Sequence, residues 1–166
     1  ASVGGLSVGV PGLLRMLEAA HKDHGRLPWR DLFRPAIELA EKGFPISKRL
    51  ARQIAGARHL LESPVAGTYF FANDGTPKRE GALLFNRDLE DTLSRIAEKG
   101  ADVFYSGEIA EAIVKAVTSA PRNPAAMKVE DISDYKAKKR APVCLPYRQW
   151  LVCGMGPPSS GGITML

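Results

Sequence analysis

Twelve prolines and sixteen glycines are spread along these 166 residues, and they divide the chain into segments too short for long helices or a large continuous sheet. Proline lacks an amide donor and clashes one turn back in a helix, while glycine accepts the backbone turn that ends one, so each marks a boundary. After Pro11-Gly12, the residues Leu13, Leu14, Met16, Leu17 and Ala20 recur with helical spacing until Gly25, which predicts a first helix. Pro28 opens a second segment with an apolar stripe of Trp29, Leu32, Phe33, Ala36, Ile37, Leu39 and Ala40, stopped at Gly43. Pro35 inside that stripe is read as a first-turn residue of a new short helix and not as a kink. Ser47 is a suitable N-cap for a third helix carrying Leu50, Ile54, Ala57 and Leu61, ended by Ser63-Pro64.

Between Val65 and Phe85 the texture changes. Thr68, Tyr69, Phe70 and Phe71 are an aromatic run and Asn73-Asp74-Gly75 a turn signal, so a hairpin-like excursion or an extended loop is expected. Asn86 then caps a helix lined by Leu89, Leu93, Ile96 and Ala97 and closed by Gly100. Gly107 precedes another, with Ile109, Ile113, Ala116 and Val117 on one face, and two such helices in succession call for a common partner surface. Pro121 and Pro124 interrupt, and Val129 to Tyr135 reads as a short capped turn of helix. Ala141 to Leu145 and Tyr147 to Met155 have strand-like density, with Pro146 confining one of them to an edge or a strand start. After Pro157-Pro158-Ser159-Ser160-Gly161-Gly162, the residues Ile163, Thr164, Met165 and Leu166 begin a serine-capped helix that one turn cannot stabilise, so a piece of a larger chain is expected. The expected fold class is mainly α with a small β component, α+β.

Composition excludes several classes. With 45% apolar residues, a chain of this mass would bury roughly 70% of its unfolded surface, which argues against disorder. No apolar run is long enough for a membrane span, and the opening ASVGGLSVGV lacks the basic flank and cleavage site of a signal peptide. The net charge of +5 has one dense source, Lys136, Lys138, Lys139 and Arg140. Asp131 and Asp134 lie just upstream and no aromatics interleave, so the run is read as a solvated face or strand entry, with no nucleic-acid partner.

Candidate chemistry is sparse. His21 and His24 stand at i and i+3, a spacing that suits a metal, but no glutamate follows in the HExxH manner, and they are read as complements to a helix C-terminal dipole, with His59 on a helix surface. Cys144 and Cys153 fit no metal spacing and are too few for a disulfide scaffold; they are read as structural thiols and not as nucleophiles, and they leave the redox compartment undecided. Gly4, Gly5 and Gly9 match no nucleotide-binding pattern and are assigned to tight turns. Ser159 to Gly162 has two readings: backbone N–H groups offered to an anion or oxyanion, or a strand-to-helix turn whose glycines allow close packing, and the second is preferred. No cofactor or metal is implied.

Several phrases, in order along nearly the whole chain, resemble the large subunit of the gamma-glutamyltranspeptidase (glutathione hydrolase) family. They are SVGVPG at Ser7 to Gly12, HGRLPW at His24 to Trp29, PAIELAEKGFPIS at Pro35 to Ser47 and DGTPKREGALL at Asp74 to Leu84. DLEDTLSRIAEKGADVFYSGEIAEAI at Asp88 to Ile113 and PPSSGGI at Pro157 to Ile163 complete the set, while SAPRNPAAM at Ser119 to Met127 departs from the glycine-rich turn usual there. The resemblance implies a fragment of an N-terminal-nucleophile hydrolase of the αββα fold. In that family a precursor cuts itself and the small subunit's new N-terminal threonine attacks the gamma-glutamyl amide of glutathione, passing the group to water or to an amino acid or peptide. That threonine, its oxyanion donors and the arginine gripping the substrate's α-carboxylate lie outside the segment matched here, so the resemblance carries no catalytic, substrate-binding or metal-binding residue into this chain. It implies one partial domain over residues 1–166, the central and C-terminal part of a large subunit, with a helical region at 11–120 and a strand and the start of a core helix at 141–166. Expected partners are glutathione and gamma-glutamyl compounds and the remaining large- and small-subunit parts, with self-association of the piece alone and a periplasmic or secreted location. The alternatives are a related acylase, such as a cephalosporin acylase or a capsule depolymerase, and a stand-alone helical interaction module.

Overall fold

The computed structural model describes residues 3–165, apart from the side chain of Met165. It comprises two compact units, residues 1–135 and 136–166. The first is helical. α1 (Leu13–His24) starts after Gly12 and ends at Gly25, and α2 (Arg34–Lys42) follows a 3-10 helix at Trp29–Leu32, with Pro35 in its first turn as expected. A short strand β1 (Phe44–Pro45) leads to α3 (Lys48–Gly56), where Ser47 Oγ accepts from the Leu50 amide at 3.2 Å. The third helix is shorter than its apolar spacing suggests, since Ala57 leaves helical geometry and Leu60 and Leu61 fall in a 3-10 helix, Arg58–Glu62.

The aromatic run departs from expectation. α4 (Pro64–Phe70) occupies the start of the segment read as hairpin or loop. Ser63 Oγ accepts from the Ala66 amide, and Pro64 fits the first turn, where its missing amide costs nothing. The Asn73-Asp74-Gly75 turn does form, closed by a bridge between Phe71 and Pro77. Asp74 accepts from the Thr76 hydroxyl (2.7 Å) and amide (2.9 Å), which holds its carboxyl below the usual range. β2 (Leu83–Leu84) pairs antiparallel with β1, Phe44 opposite Leu84, and Ile46, Ile54, Phe71 and Leu84 are buried together. Tertiary burial of Phe71 against α3 and this small sheet outweighs the β-propensity of the aromatic run.

α5 (Arg87–Lys99) is capped by Asn86, whose Oδ1 accepts from the Leu89 amide at 2.9 Å, and ends at Gly100, φ 83°, a left-handed backbone that favours glycine. α6 (Asp102–Tyr105), not foreseen from the sequence, α7 (Gly107–Thr118) and α8 (Val129–Ser133) follow. The two long amphipathic helices share α6, the short helix between them, and each has a further partner of its own. α5 packs on α2, and Trp29 Nε1 donates to Ile96 O at 3.1 Å. α7 closes a second core around Tyr105, Ala110 and Ile132, with Leu14 and Met127 against it.

Tyr105 ties that second core together. Its ring is 1% exposed, its hydroxyl donates to Pro11 O at 2.7 Å, and the same oxygen accepts from the Arg15 amide at 3.0 Å. Burial raises the phenol above its ordinary value near 10, so the proton given to Pro11 O is retained. Tyr105→Phe strands a donor and an acceptor, and denaturant unfolding should show a loss of about 1–3 kcal/mol. A raised folded value means that the contribution is present below the ordinary tyrosine range and disappears as pH rises through the folded one. The difference between the parent chain and the variant should therefore shrink in alkali; a constant difference would contradict the assignment.

Candidate functional site

The second unit is built on a hairpin. β3 (Val143–Tyr147) and β4 (Trp150–Gly154) pair antiparallel with Tyr147 opposite Trp150 and Val143 opposite Gly154. Pro146 lies inside β3 opposite Leu151, which is tolerated because each strand of a two-stranded sheet has a free edge. Beyond the hairpin, the Ser159 amide donates to Gly156 O at 3.2 Å and closes a turn, and α9 (Ser160–Met165) begins. Ser159 Oγ accepts from the Gly161 amide, and Arg140 Nη1 donates to Pro157 O at 2.9 Å. Leu166, the last apolar residue expected of this helix, lies outside the described residues.

The glycines of the Ser159 to Gly162 phrase have a packing role. A Cβ on Gly154 would lie 2.5 Å from Gly162 Cα, and one on Gly162 would overlap Met155 O, so α9 seats directly on the β4 backbone. This is the strand-to-helix turn preferred from the sequence. Cys144 and Cys153 face each other in the register and form a disulfide, which corrects the reading as free structural thiols. Cysteine spacing alone does not reveal strand register, and only the hairpin brings these two within bonding distance.

The other candidates separate. His21 Nε2 lies 2.8 Å from Leu27 O and its ring meets Trp29 edge-on at 5.3 Å, so it fastens the segment after α1, whereas His24 is exposed. His59 sits exposed on the 3-10 helix. Among the described residues no three metal-ligating side chains gather. Lys136 to Arg140 form an exposed, irregular entry to β3. In the first unit, a groove of about 760 Å³ is lined by Tyr69, Phe70, Lys78, Phe85 and Arg87. Its Lys78 Nζ is already held by Tyr69 O (2.8 Å) and Thr68 O (3.4 Å), where it complements the C-terminus of α4.

Comparison with known proteins extends over the whole chain. The sequence profile of the family described as Gamma-glutamyltranspeptidase matches residues 1–166. Glutathione hydrolase 2 of Arabidopsis thaliana is 37% identical over 163 residues, covering 98% of this chain and 28% of the relative. The crystal structure of Helicobacter pylori gamma-glutamyltranspeptidase superposes with a TM-score of 0.89 at 37% identity, over 98% of this chain and 46% of that one. Cephalosporin acylase from Bacillus halodurans superposes with a TM-score of 0.80 at 27% identity, over 95% of this chain and 30% of that one. The chain spans little more than a quarter of the length of the curated relatives it matches.

The contact between α9 and β4 makes two neighbouring glycines respond in opposite ways. Gly162→Ala should lower the stability of the second unit by roughly 1–3 kcal/mol through overpacking. Gly161→Ala, whose Cβ would meet only Ser159 Oγ at 3.6 Å, should be neutral or stabilising by up to about 1 kcal/mol through helix propensity. Hydrogen exchange of the α9 and β4 amides reads both, and equal effects would discount the close approach.

Proposed function

Because this chain belongs to the gamma-glutamyltranspeptidase family, we propose that it is an internal segment of a large subunit and that the whole protein cleaves the gamma-glutamyl amide of glutathione, passing the gamma-glutamyl group to water or to an amino acid or peptide. The observation that carries this reading is the family match along all 166 residues, joined to a relative named as a glutathione hydrolase. The segment is mainly α with a small β component and superposes on both a transpeptidase and an acylase, in keeping with part of an N-terminal-nucleophile hydrolase. In this reading residues 1–166 form one partial domain. It has a helical region at 11–120, and the strand and the start of a core helix at 141–166 belong to the αββα layers.

Family chemistry then supplies the mechanism. The small subunit's N-terminal threonine adds its hydroxyl to the amide carbonyl while its own amine takes the proton, and backbone donors hold the oxyanion. Collapse expels the protonated amine of the leaving group and leaves a gamma-glutamyl ester, which water or an acceptor amine then opens. We assign no catalytic, substrate-binding or metal-binding residue to this chain; its part is to support the core from which those groups project. The bonded Cys144–Cys153 pair supports a periplasmic or secreted location, where disulfides persist.

A second reading is a related acylase, favoured by the 0.80 TM-score to cephalosporin acylase. Acyl specificity separates the two: an arginine gripping the substrate's α-carboxylate favours gamma-glutamyl compounds.

Intact-mass analysis of the complete gene product, together with chromophore release from a gamma-glutamyl anilide, tests the proposal. Two pieces, the smaller starting with threonine, and turnover are expected. An uncut product, or a cut one without turnover, would shift the reading to an acylase or a non-catalytic relative. Leu145, Tyr147, Trp150 and Leu151 are exposed, so the 166-residue chain alone should self-associate in sedimentation. A compact monomer that binds no hydrophobic dye would argue that nothing covers these residues.

A further inference from the structure

Residues 119–127, the phrase that departs from the family's usual turn, have no part in the proposed amide chemistry. In the first unit they follow α7 and meet the start of the chain. Asn123 stands there at φ 48°, a left-handed backbone uncommon outside glycine. It also precedes Pro124, and a residue before proline is pushed toward extended backbone. Two local preferences are therefore violated at one residue, and such a conformation persists only where its surroundings compensate it.

The compensation comes from the other end of the unit. The Gly5 amide donates to Arg122 O at 3.2 Å and the Leu6 amide to Asn123 O at 2.8 Å, so the turn presents two successive carbonyls to two successive amides. Asn123 Nδ2 adds a third bond, donating to Val3 O at 3.0 Å. The backbones touch where these bonds form: a Cβ on Gly4, itself at φ 99°, would overlap Arg122 O, and one on Gly5 would overlap Val117 O at the end of α7. Arg122 in turn donates from Nη2 to Glu62 Oε1 at 2.7 Å, which brings the 3-10 helix Arg58–Glu62 to the same turn. All of these partners lie inside the first unit, so none of the bonds depends on what covers its surface.

A glycine at position 123 would adopt the turn freely and present the same two carbonyls, but it could not reach Val3 O. Asparagine combines tolerance of the left-handed region with an amide donor. We propose that Asn123 is the catch of a strap, residues 3–6, which opens as a unit from the end of α7 while the helices stay folded. Neither buried cluster of the first unit includes residues 3–6, so opening the strap leaves both cores intact. Closed, the strap fixes the path by which the chain enters α1; open, it gives up the three bonds together, since all of them need the turn at Asn123. The inference concerns hydrogen bonds within this unit and is independent of gamma-glutamyl turnover.

The test is hydrogen exchange of the Gly5 and Leu6 amides in the complete, folded protein, with the α5 amides as reference. Asn123→Gly keeps the turn and removes the side-chain bond, and should speed exchange of Gly5 and Leu6 about three- to tenfold. Asn123→Ala also loses tolerance of the left-handed region and should speed it by a further factor of about five or more. Asn123→Asp keeps the tolerance but sets an acceptor against Val3 O, and should exceed Asn123→Gly. The α5 amides should match the parent in all three variants. Parent-like protection in Asn123→Gly, or unprotected Gly5 and Leu6 amides in the parent, would overturn the catch. Equal exchange in the glycine and alanine variants would overturn the role of the turn, and parallel acceleration of α5 would overturn the strap in favour of general destabilisation. Because no readout is activity, a protein without gamma-glutamyl turnover whose strap responds as stated separates failure of the enzymatic reading from failure of this one.

Discussion

The first unit depends on one buried hydroxyl. Tyr105 reaches back across the fold to Pro11 O and the Arg15 amide, the carbonyl before α1 and a donor in its first turn. An amide in the first turn is ordinarily left to a capping side chain, and Gly12, at the N-cap, has none. The tyrosine supplies the missing acceptor. Its ring also supports the Arg15 guanidinium at 4.3 Å and stacks parallel to Tyr135, so α1, α6 and the end of α8 are held by one side chain. A Cβ at Gly12 would overlap the Tyr135 hydroxyl, so a larger residue there would require that ring to shift.

Close backbone approach has the same importance in the second unit. Gly154 and Gly162 bring β4 and α9 together without side chains between them, and the apolar residues of the hairpin are left facing outward. An apolar hairpin exposed in this way fits a family in which this segment is little more than a quarter of the protein. The closeness of the superposition on a transpeptidase and on an acylase shows how far a shared scaffold extends beneath different acyl specificities.

Much of the fold was legible because it depends on local chemistry. Ser47 and Asn86 accept from amides three residues on, and Pro35 and Gly100 occupy the positions that their fixed or free φ favours, whatever surrounds them. The misreadings share a cause. Thr68 to Phe71 has strand-like composition, but Ser63 and Pro64 start a helix there and Phe71 finds its partners in Ile46, Ile54 and Leu84, distant in sequence. The brief helix α6 has no periodicity long enough to read, and it exists to deliver Tyr105 into the core. His21 was placed correctly at a helix end, yet its bond to Leu27 O depends on how the following loop folds back.

The sequence by itself determined the limits of α1, α2 and α5, the α+β class and, through phrases spread from Ser7 to Ile163, the family. These follow from residue-level conformational preference and from an ordered set of motifs, both one-dimensional properties. Only the tertiary structure decided that Cys144 and Cys153 are bonded, that Tyr105 holds the start of α1, and that Gly162 is needed for backbone contact. Each of these is a distance between residues whose separation is set by strand register or chain return, and no local preference encodes it.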